Sequence, residues 1–359
     1  MLNIGVVGAG AIGRTHIAAI AAAPGFALAG IVDPSDTAAD LAAAHGVAHH
    51  RDLAALLDRG RVDGVIIATP NDSHVALTCA ALRAGVPVLL EKPIANGVAE
   101  AAVILDAEAA SPARVLVGHH RRHNPMVAAV KEAVAAGRIG RPTLASVACT
   151  LWKPDDYFDV PWRRTPGVGG PVLINMIHEI DLLRHLLGDV VAVSGMTADG
   201  TRHLPVEDTG AAVLRFAGGA LATIALSDAA VGPWAWDLAS GENPRFARSK
   251  GISHTIAGTA GGIAFPEPVL WRHDGVRSWA TPQRAEPLPY QPGDAFAAQL
   301  RNFAAVIAGD AEPLVTALEA AKTIATIAAV ATAASTGRET VVESVQDPRS
   351  PDPVERDVP

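Results

Sequence analysis

Leu2-Asn3-Ile4-Gly5-Val6-Val7 runs directly into Gly8-Ala9-Gly10-Ala11-Ile12-Gly13, and residues from Arg14 to Ala23 have helical composition. A strand, a glycine turn and a helix in succession form the context in which a G-x-G-x-x-G match acquires meaning. Gly8 permits the tight turn, Gly10 lets a pyrophosphate approach the backbone, and Gly13 lets the helix pack closely on the strand. The free amides of the first helical turn, at Ala11 and Ile12, and the positive end of the helix dipole favour phosphate.

A second strand, Ala27 to Val32, ends in Asp33, about twenty residues beyond Gly13, where an acid hydrogen-bonds the adenosine ribose. A carboxylate there repels a 2′-phosphate, and no arginine follows in Pro34-Ser35-Asp36, so NAD is expected as the cofactor in preference to NADP.

The alternation of strand and helix continues. Helices are expected over Thr37–His45 and Asp52–Asp58, with a short strand near Val47 between them. Val62 to Ala68 reads as a buried strand leading to Thr69-Pro70-Asn71. Asn71 and His74 then open a helix, which they either cap or leave to reach the cofactor, and Gly85 ends it.

Val86-Pro87-Val88-Leu89-Leu90 closes on Glu91-Lys92-Pro93. A lysine at the carboxyl end of a buried parallel strand stands where open α/β sheets bind ligands. It is suited to hydrogen-bond a substrate oxygen or to take part in proton transfer; a strand-terminal ion pair with Glu91 is the plainer alternative. A helix from Ala99 to Ala110 and the strand Val115-Leu116-Val117 complete a doubly wound domain over residues 1–120.

The 359 residues suggest two domains, and 49% hydrophobic content is ample for two cores. A net charge of −8 without a Lys/Arg block gives no footprint for nucleic acid. Cys79 and Cys149 stand far apart in no disulfide or metal spacing. His49-His50 and His119-His120-His123 match no zinc pattern, so no metal is expected. The chain enters a strand at once, leaving no room for a signal peptide, and the alanine-rich stretch Thr323–Ala333 reads as a packed helix. A cytoplasmic protein with no membrane partner is the expectation.

Gly8 to Gly13, Asp33, Thr69-Pro70-Asn71, Glu91-Lys92-Pro93 and Gly118-His119-His120-Arg121-Arg122-His123-Asn124-Pro125 occur in that order. In this the chain resembles the glucose–fructose oxidoreductase / inositol dehydrogenase (Gfo/Idh/MocA) family, from Met1 to about Gly337. The resemblance implies an N-terminal Rossmann domain and a C-terminal α+β domain, over residues 121–340, with a large open, mainly antiparallel sheet often used for oligomerisation. It also implies an NAD(P)-dependent oxidoreductase acting on sugars, cyclitols or their derivatives, and a homo-oligomer, dimer or tetramer. By the resemblance Thr69, Pro70, Asn71, His74, Glu91 and Lys92 join the cofactor-binding set and Arg121 the substrate-binding set.

Beyond Pro125 a helix, Met126–Ala136, and a strand, Leu144–Leu151, precede the segment Trp152–Arg164. Tyr157, Trp162 and Arg163 there suit a polyhydroxylated ring; a subunit contact is the alternative reading. Gly169-Gly170-Pro171 leads into an apolar helix pattern, Leu173, Ile177, Ile180, Leu183 and Leu187, that sets Asn175 and His178 on one face.

An imidazole with a pKa near neutrality can take a hydroxyl proton, and the resemblance makes His178 the general acid/base. The inositol dehydrogenase-like pattern has an aspartate four residues before this histidine, where Ile174 stands here. Asn175 can hydrogen-bond a hydroxyl but cannot exchange its proton, which leaves Lys92 and His178 to share the work.

Ala211–Phe216, Gly218-Gly219 and Ala220–Leu226 read as a hairpin, and Gly258–Gly262 as a turn between strands. Helices are expected over Asp294–Ile307 and Val315–Thr336, packing back on the first domain. Residues 341–359 form a tail, Pro- and charge-rich from Gln346 on, with the composition of a disordered segment. The expected reaction moves a hydride between a secondary alcohol of a polyol and the nicotinamide. Lys92 orients the oxygen. Carbonyl reduction, transient redox in glycosidic cleavage and non-catalytic dinucleotide sensing remain the alternatives.

Overall fold

The computed structural model describes residues 1–59 and 61–349, which form two compact units. Among the described residues the first comprises Met1–His120, Phe296–Ile324 and 344–349; the second comprises Arg121–Ala295 and Ala325–Glu343. The expected tail falls outside the described residues from position 350.

In the first unit the strands are β1 (Leu2–Val7), β2 (Phe26–Val32), β3 (Ala48–His50), β4 (Gly64–Ile67), β5 (Val88–Leu90) and β6 (Val115–Val117). They pair in parallel in the order β3-β2-β1-β4-β5-β6. Helices α1 (Ala11–Ala22), α2 (Thr37–Ala44), α3 (Leu53–Arg59), α4 (His74–Arg83) and α5 (Val98–Ala109) connect them. Ile4, Val6, Val65, Ile66, Ile67 and all of β5 and β6 are fully buried, as expected of a parallel sheet covered on both faces. The strand order reverses between β1 and β4, and open α/β sheets bind ligands at the carboxyl ends of strands at such a point.

The second unit opens with α6 (Pro125–Ala135), whose Asn124 side chain accepts the Met126 amide as an N-cap, with proline at the first helical position. Its nine strands are β7 (Pro142–Thr150), β8 (Val190–Ala198), β9 (Thr209–Phe216), β10 (Leu221–Ser227), β11 (His254–Gly258), β12 (Gly262–Phe265), β13 (Val269–His273), β14 (Gln283–Pro287) and β15 (Thr340–Val341). The order is β14-β13-β12-β11-β7-β10-β9-β8-β15, antiparallel except for the pair β7/β10. Both expected turns, at Gly218-Gly219 and Gly258–Gly262, join antiparallel neighbours. The strand β15 takes up Thr340 and Val341, at the start of the expected tail.

Helix α7 (Ile177–Leu187) lies in the second unit and carries His178. The expected regular helix from Leu173 is replaced over Val172–Met176 by a π-helical turn, so the α-helical spacing of Asn175 and His178 does not carry over unchanged. The remaining helices are α8 (Trp236–Ala239), α9 (Ala295–Ala308) and α10 (Ala317–Thr336). By length and composition α10 could cross a membrane, but 61% of its most apolar window is buried within the protein, the character of a core helix.

Candidate active site

At the carboxyl edge of the first sheet the loops are tied to one another by short polar contacts. Gly8 has φ +97°, and a Cβ on it would stand 2.5 Å from the Ala68 carbonyl, so the glycine turn and the end of β4 meet only with glycine here. A Cβ on Gly13 would stand 1.9 Å from the Gly8 carbonyl. Above Gly10 there is nothing within 4 Å. Helix α1 starts there with no side-chain cap and no acid in its first turn, leaving its first amides available to an anion.

Asp33 is bound into the same turn. Its Oδ2 accepts the Ala9 amide at 2.8 Å, and its Oδ1 accepts the Ser35 amide at 2.8 Å and the Ser35 hydroxyl at 2.6 Å. Burial acts to raise its pKa, but the hydrogen bonds from Ser35 and Ala9 and the charge of His49 outweigh it and hold the carboxyl below its ordinary value. The open space at Gly10, the uncapped first turn and an ionised Asp33 joined to Ala9 suit a dinucleotide with a free ribose diol. Sequence reasoning missed Arg51, which β3 brings beside this loop. It donates to the Pro34 carbonyl at 3.0 Å and to Asp36 Oδ1 at 2.5 Å.

Around Thr69 and Lys92 the structure shows how three of the expected residues are held. Asn71 caps no helix: it begins a one-turn 3-10 segment whose N-cap is Pro70, and no side-chain cap is formed there or at α4. His74 is fully buried, with Nδ1 2.8 Å from the Pro93 carbonyl and Nε2 3.0 Å from the Thr69 carbonyl. It braces the loops after β4 and β5 against one another. Burial, against the pull of those carbonyls, lowers its pKa.

Glu91 is likewise an internal group. Its Oε1 lies 2.7 Å from His16 Nε2 of α1, and its Oε2 accepts the Lys92 amide at 3.2 Å. Gly118 allows this, since a Cβ there would be 2.9 Å from the Glu91 carboxyl carbon. Burial raises the Glu91 pKa, yet the bond and charge of His16, with the charges of His120 and Lys92, win and depress it. His16 also meets the Phe296 ring edge-on at 5.6 Å, and His120 stacks on that ring at 4.7 Å. The plainer expectation of a surface ion pair at Glu91 is therefore replaced by a buried pair one residue before Lys92, which is itself half-buried.

In the second unit, α7 is held by two buried ion pairs, at the residues one and three places after His178. Arg121 Nη1 lies 2.8 Å from Glu179 Oε1, and Arg122 pairs with both oxygens of Asp181 at 2.9 and 2.7 Å. Glu179 Oε2 also meets His254 Nε2 at 2.7 Å. Although burial opposes it, the charges of Arg121 and His254 bring the Glu179 pKa down to about 2. Arg121 bonds to Asp237 as well, at 3.2 Å, and lies 5.4 Å over the Trp236 ring. Two carboxylates and an aromatic face thus surround the Arg121 guanidinium.

The segment after β7 assembles the aromatic and cationic groups expected from the sequence. Arg163 lies 4.1 Å over the Tyr157 ring and 5.7 Å from Trp162, and donates to the Tyr157 carbonyl at 2.7 Å. Trp162 is exposed. Gly169-Gly170 is needed for close approach: a Cβ on Gly169 would lie 2.3 Å from the Arg163 carbonyl, and one on Gly170 2.3 Å from Glu207 Oε1. Glu207 accepts the Val172 amide at the start of the π turn.

Asn175 accepts a 2.7 Å hydrogen bond from Lys153 Nζ, a residue absent from the sequence-derived site. Lys153 stands three residues beyond the end of β7, in the aromatic segment Trp152–Arg164, where no sequence pattern singles it out.

Two family models match the chain: an oxidoreductase family with NAD-binding Rossmann fold over residues 2–119, and a GFO/IDH/MocA C-terminal domain over residues 127–264. The chain is 30% identical to a 1,5-anhydro-D-fructose reductase of Ensifer adhaerens, over 95% of this chain and 98% of that one. It is 34% identical to an inositol 2-dehydrogenase of Streptomyces avermitilis, over 62% of this chain and 65% of that one, so about a third of that relative is unmatched. The WlbA dehydrogenase of Bordetella pertussis, solved with NADH and UDP-GlcNAcA, superposes with a TM-score of 0.77 at 25% identity, over 96% and 99% of the two chains. A fold that pairs an NAD-binding doubly wound domain with a large open sheet defines the class, an NAD-dependent oxidoreductase. The chain belongs to the Gfo/Idh/MocA family.

Proposed function

We propose that this protein is a cytoplasmic, homo-oligomeric dehydrogenase that moves a hydride between a secondary alcohol of a sugar, cyclitol or related polyol and NAD. The observation that carries the reading is the first unit's carboxyl edge, where Lys92 follows a buried Glu91–His16 pair joined to the glycine-turn helix. Gly8, Gly10, Ala11, Ile12, Gly13, Asp33, Thr69 and Pro70 would hold the dinucleotide, which supplies the hydride acceptor or donor when bound.

Lys92 orients and polarises the reacting oxygen through its ammonium group. His178 takes the hydroxyl proton in oxidation and returns it in reduction. The second unit supports this role with a helix clamped through Glu179 and Asp181, which limits the freedom of the imidazole's backbone. Tyr157, Trp162, Arg163 and Asn175 supply the apolar faces and directed donors that a polyol ring requires. Two buried, unpaired cysteines suit a reducing compartment.

The open face of the nine-stranded sheet supports homo-oligomerisation. Met196, Val213, Leu221 and Leu144 are exposed on neighbouring strands, and small residues Ala211, Thr223, Ala225 and Ser146 lie in register among them. A flat apolar patch of this kind fits a second copy of the same face.

The test is NADH formation, followed by near-ultraviolet absorbance, across cyclitols, aldoses and anhydrosugars with NAD and NADP in parallel. Oxidation with NAD supports the reading. Tight NADH binding with no turnover of any member of the panel would favour a dinucleotide sensor.

A further inference from the structure

Lys153 follows β7 and is buried, with 7% of its side chain exposed. Its ammonium has three neighbours: Asn175 Oδ1 at 2.7 Å, Asp228 Oδ2 at 3.4 Å and the Tyr157 ring at 4.8 Å. The shortest contact is to the neutral amide rather than to the carboxylate. Asp228 is shared with Arg202, whose Nε lies 3.1 Å from Oδ1 and whose Nη2 donates to the Lys153 carbonyl at 2.6 Å. These contacts fix the lysine's position at both its backbone and its head group.

The consequence falls on Asn175. An amide has one carbonyl oxygen and one NH2 group, and the oxygen is taken by Lys153. Asn175 is only half-buried, and among the described residues its Nδ2 donates to no protein group. We propose that Lys153 is a positioning residue that locks the Asn175 amide so that only its N–H donors face the substrate. This rests on the reading of the second unit as the substrate domain.

With Ile174 where a carboxylate would accept hydrogen bonds, the polarity of this contact is inverted. The substrate oxygen at this point must accept, so a hydroxyl, a carbonyl or an ether oxygen is bound, and a group that can only donate is refused. Burial lowers the Lys153 pKa against the charge and hydrogen bond of Asp228, with Arg202 acting in the same sense as burial; the Tyr157 ring and the neutral Cys149 thiol lie near it too. Deprotonation on the alkaline side therefore loosens the hold on Oδ1.

The test uses the full chain with NAD, and levoglucosan and myo-inositol as probes. Lys153→Met and Asn175→Leu should each raise KM about tenfold, the effect of losing one directed hydrogen bond, with kcat within about threefold. The double variant should be no worse than either single one, because both remove the same contact. Lys153→Arg, which can still donate to Oδ1, should restore most of the loss, and its KM should stay flat at alkaline pH where that of the wild type rises. Additive losses, or an unchanged KM in Lys153→Met, would overturn the proposal.

A substrate-free arm follows the 13Cε signals of the five lysines by NMR, with Lys153→Arg identifying the signal of Lys153. Its titration should move in Asn175→Leu and not in Trp162→Leu. If no probe is oxidised, the dehydrogenase reading fails on its own, while an unmoved Lys153 signal in Asn175→Leu still overturns the proposal.

Discussion

His16 Nε2 lies 2.7 Å from Glu91 Oε1, with both side chains buried. This contact joins the helix that starts at the glycine turn to the residue before Lys92, so the two halves of the proposed cofactor edge are mechanically one piece. Removing one partner of a buried pair costs about 3–5 kcal/mol, since the other is left without compensation. Glu91→Leu should therefore lower urea stability by about that amount, and Glu91→Gln by less, because an amide can still accept from His16.

The pH dependence of that contribution has a definite sign. The folded-state pKa of Glu91 is depressed, so its stabilisation is present above the ordinary carboxylate value of 4.5 and is lost as pH falls through the lower folded value. Urea titrations of wild type and Glu91→Gln should differ above pH 5 and converge in acid. A constant difference down to the lowest pH would show that Glu91 does not act as a carboxylate.

Gly10 and Gly13 should respond differently to the same added methyl group. Gly13→Ala drives a Cβ to 1.9 Å from a carbonyl and should cost about 1–3 kcal/mol of stability or more. Gly10→Ala meets nothing within 4 Å at a φ of −69°, so the fold should be unaffected. Its methyl group fills the space assigned to pyrophosphate, and NADH affinity, read by fluorescence, should fall at least about tenfold. Unchanged affinity in Gly10→Ala would remove the cofactor from this turn.

Asp33→Ala should weaken NAD and admit NADP. The carboxylate that repels a 2′-phosphate is lost, and Arg51, already beside Asp36 at 2.5 Å, becomes available to one. Coenzyme KM values for the two nucleotides should draw together by at least about tenfold in their ratio. Adding Arg51→Ala should reverse the gain for NADP. Retained discrimination in Asp33→Ala would place the selectivity elsewhere.

The open sheet face offers a test of assembly. Val213→Arg places a charge in the middle of the cross-strand row Ser194–Val213–Thr223–Ser146, of which all but the half-buried Ser194 are exposed. Light scattering should show the wild type as an oligomer and the variant shifted towards monomer at micromolar concentration. A wild-type monomer would contradict the reading of this face.

The fold was largely legible because its signals are local. The run Leu2–Val7 into Gly8, the acid at Asp33 and the apolar strands before Thr69 and Lys92 each state their own element, and β1 to β6 all lie within a few residues of their expected positions. The hairpin at Gly218-Gly219 was legible for the same reason. The site was less so, because side-chain partners are set by tertiary approach.

Glu91 and His16 are 75 residues apart, and Arg121 and Glu179 58 apart, and neither pairing leaves a periodic trace. Arg121 and His74 meet Glu179 and Pro93, far from them in sequence, because buried polar atoms must find partners that no local pattern announces. Lys153 escaped notice because it stands in an aromatic run that reads as a loop. The π turn at Val172–Met176 has no compositional signature that separates it from an α-helix.

The central claim is that Lys92 and His178 carry oxidation of a polyol by NAD. It is tested most directly by NADH production across the polyol panel with wild type, Lys92→Met and His178→Ala side by side, with NADH binding measured for each. Turnover should fall by about two or more orders of magnitude in both variants, with NADH affinity changed by less than about threefold. Near-normal turnover in Lys92→Met would contradict the account.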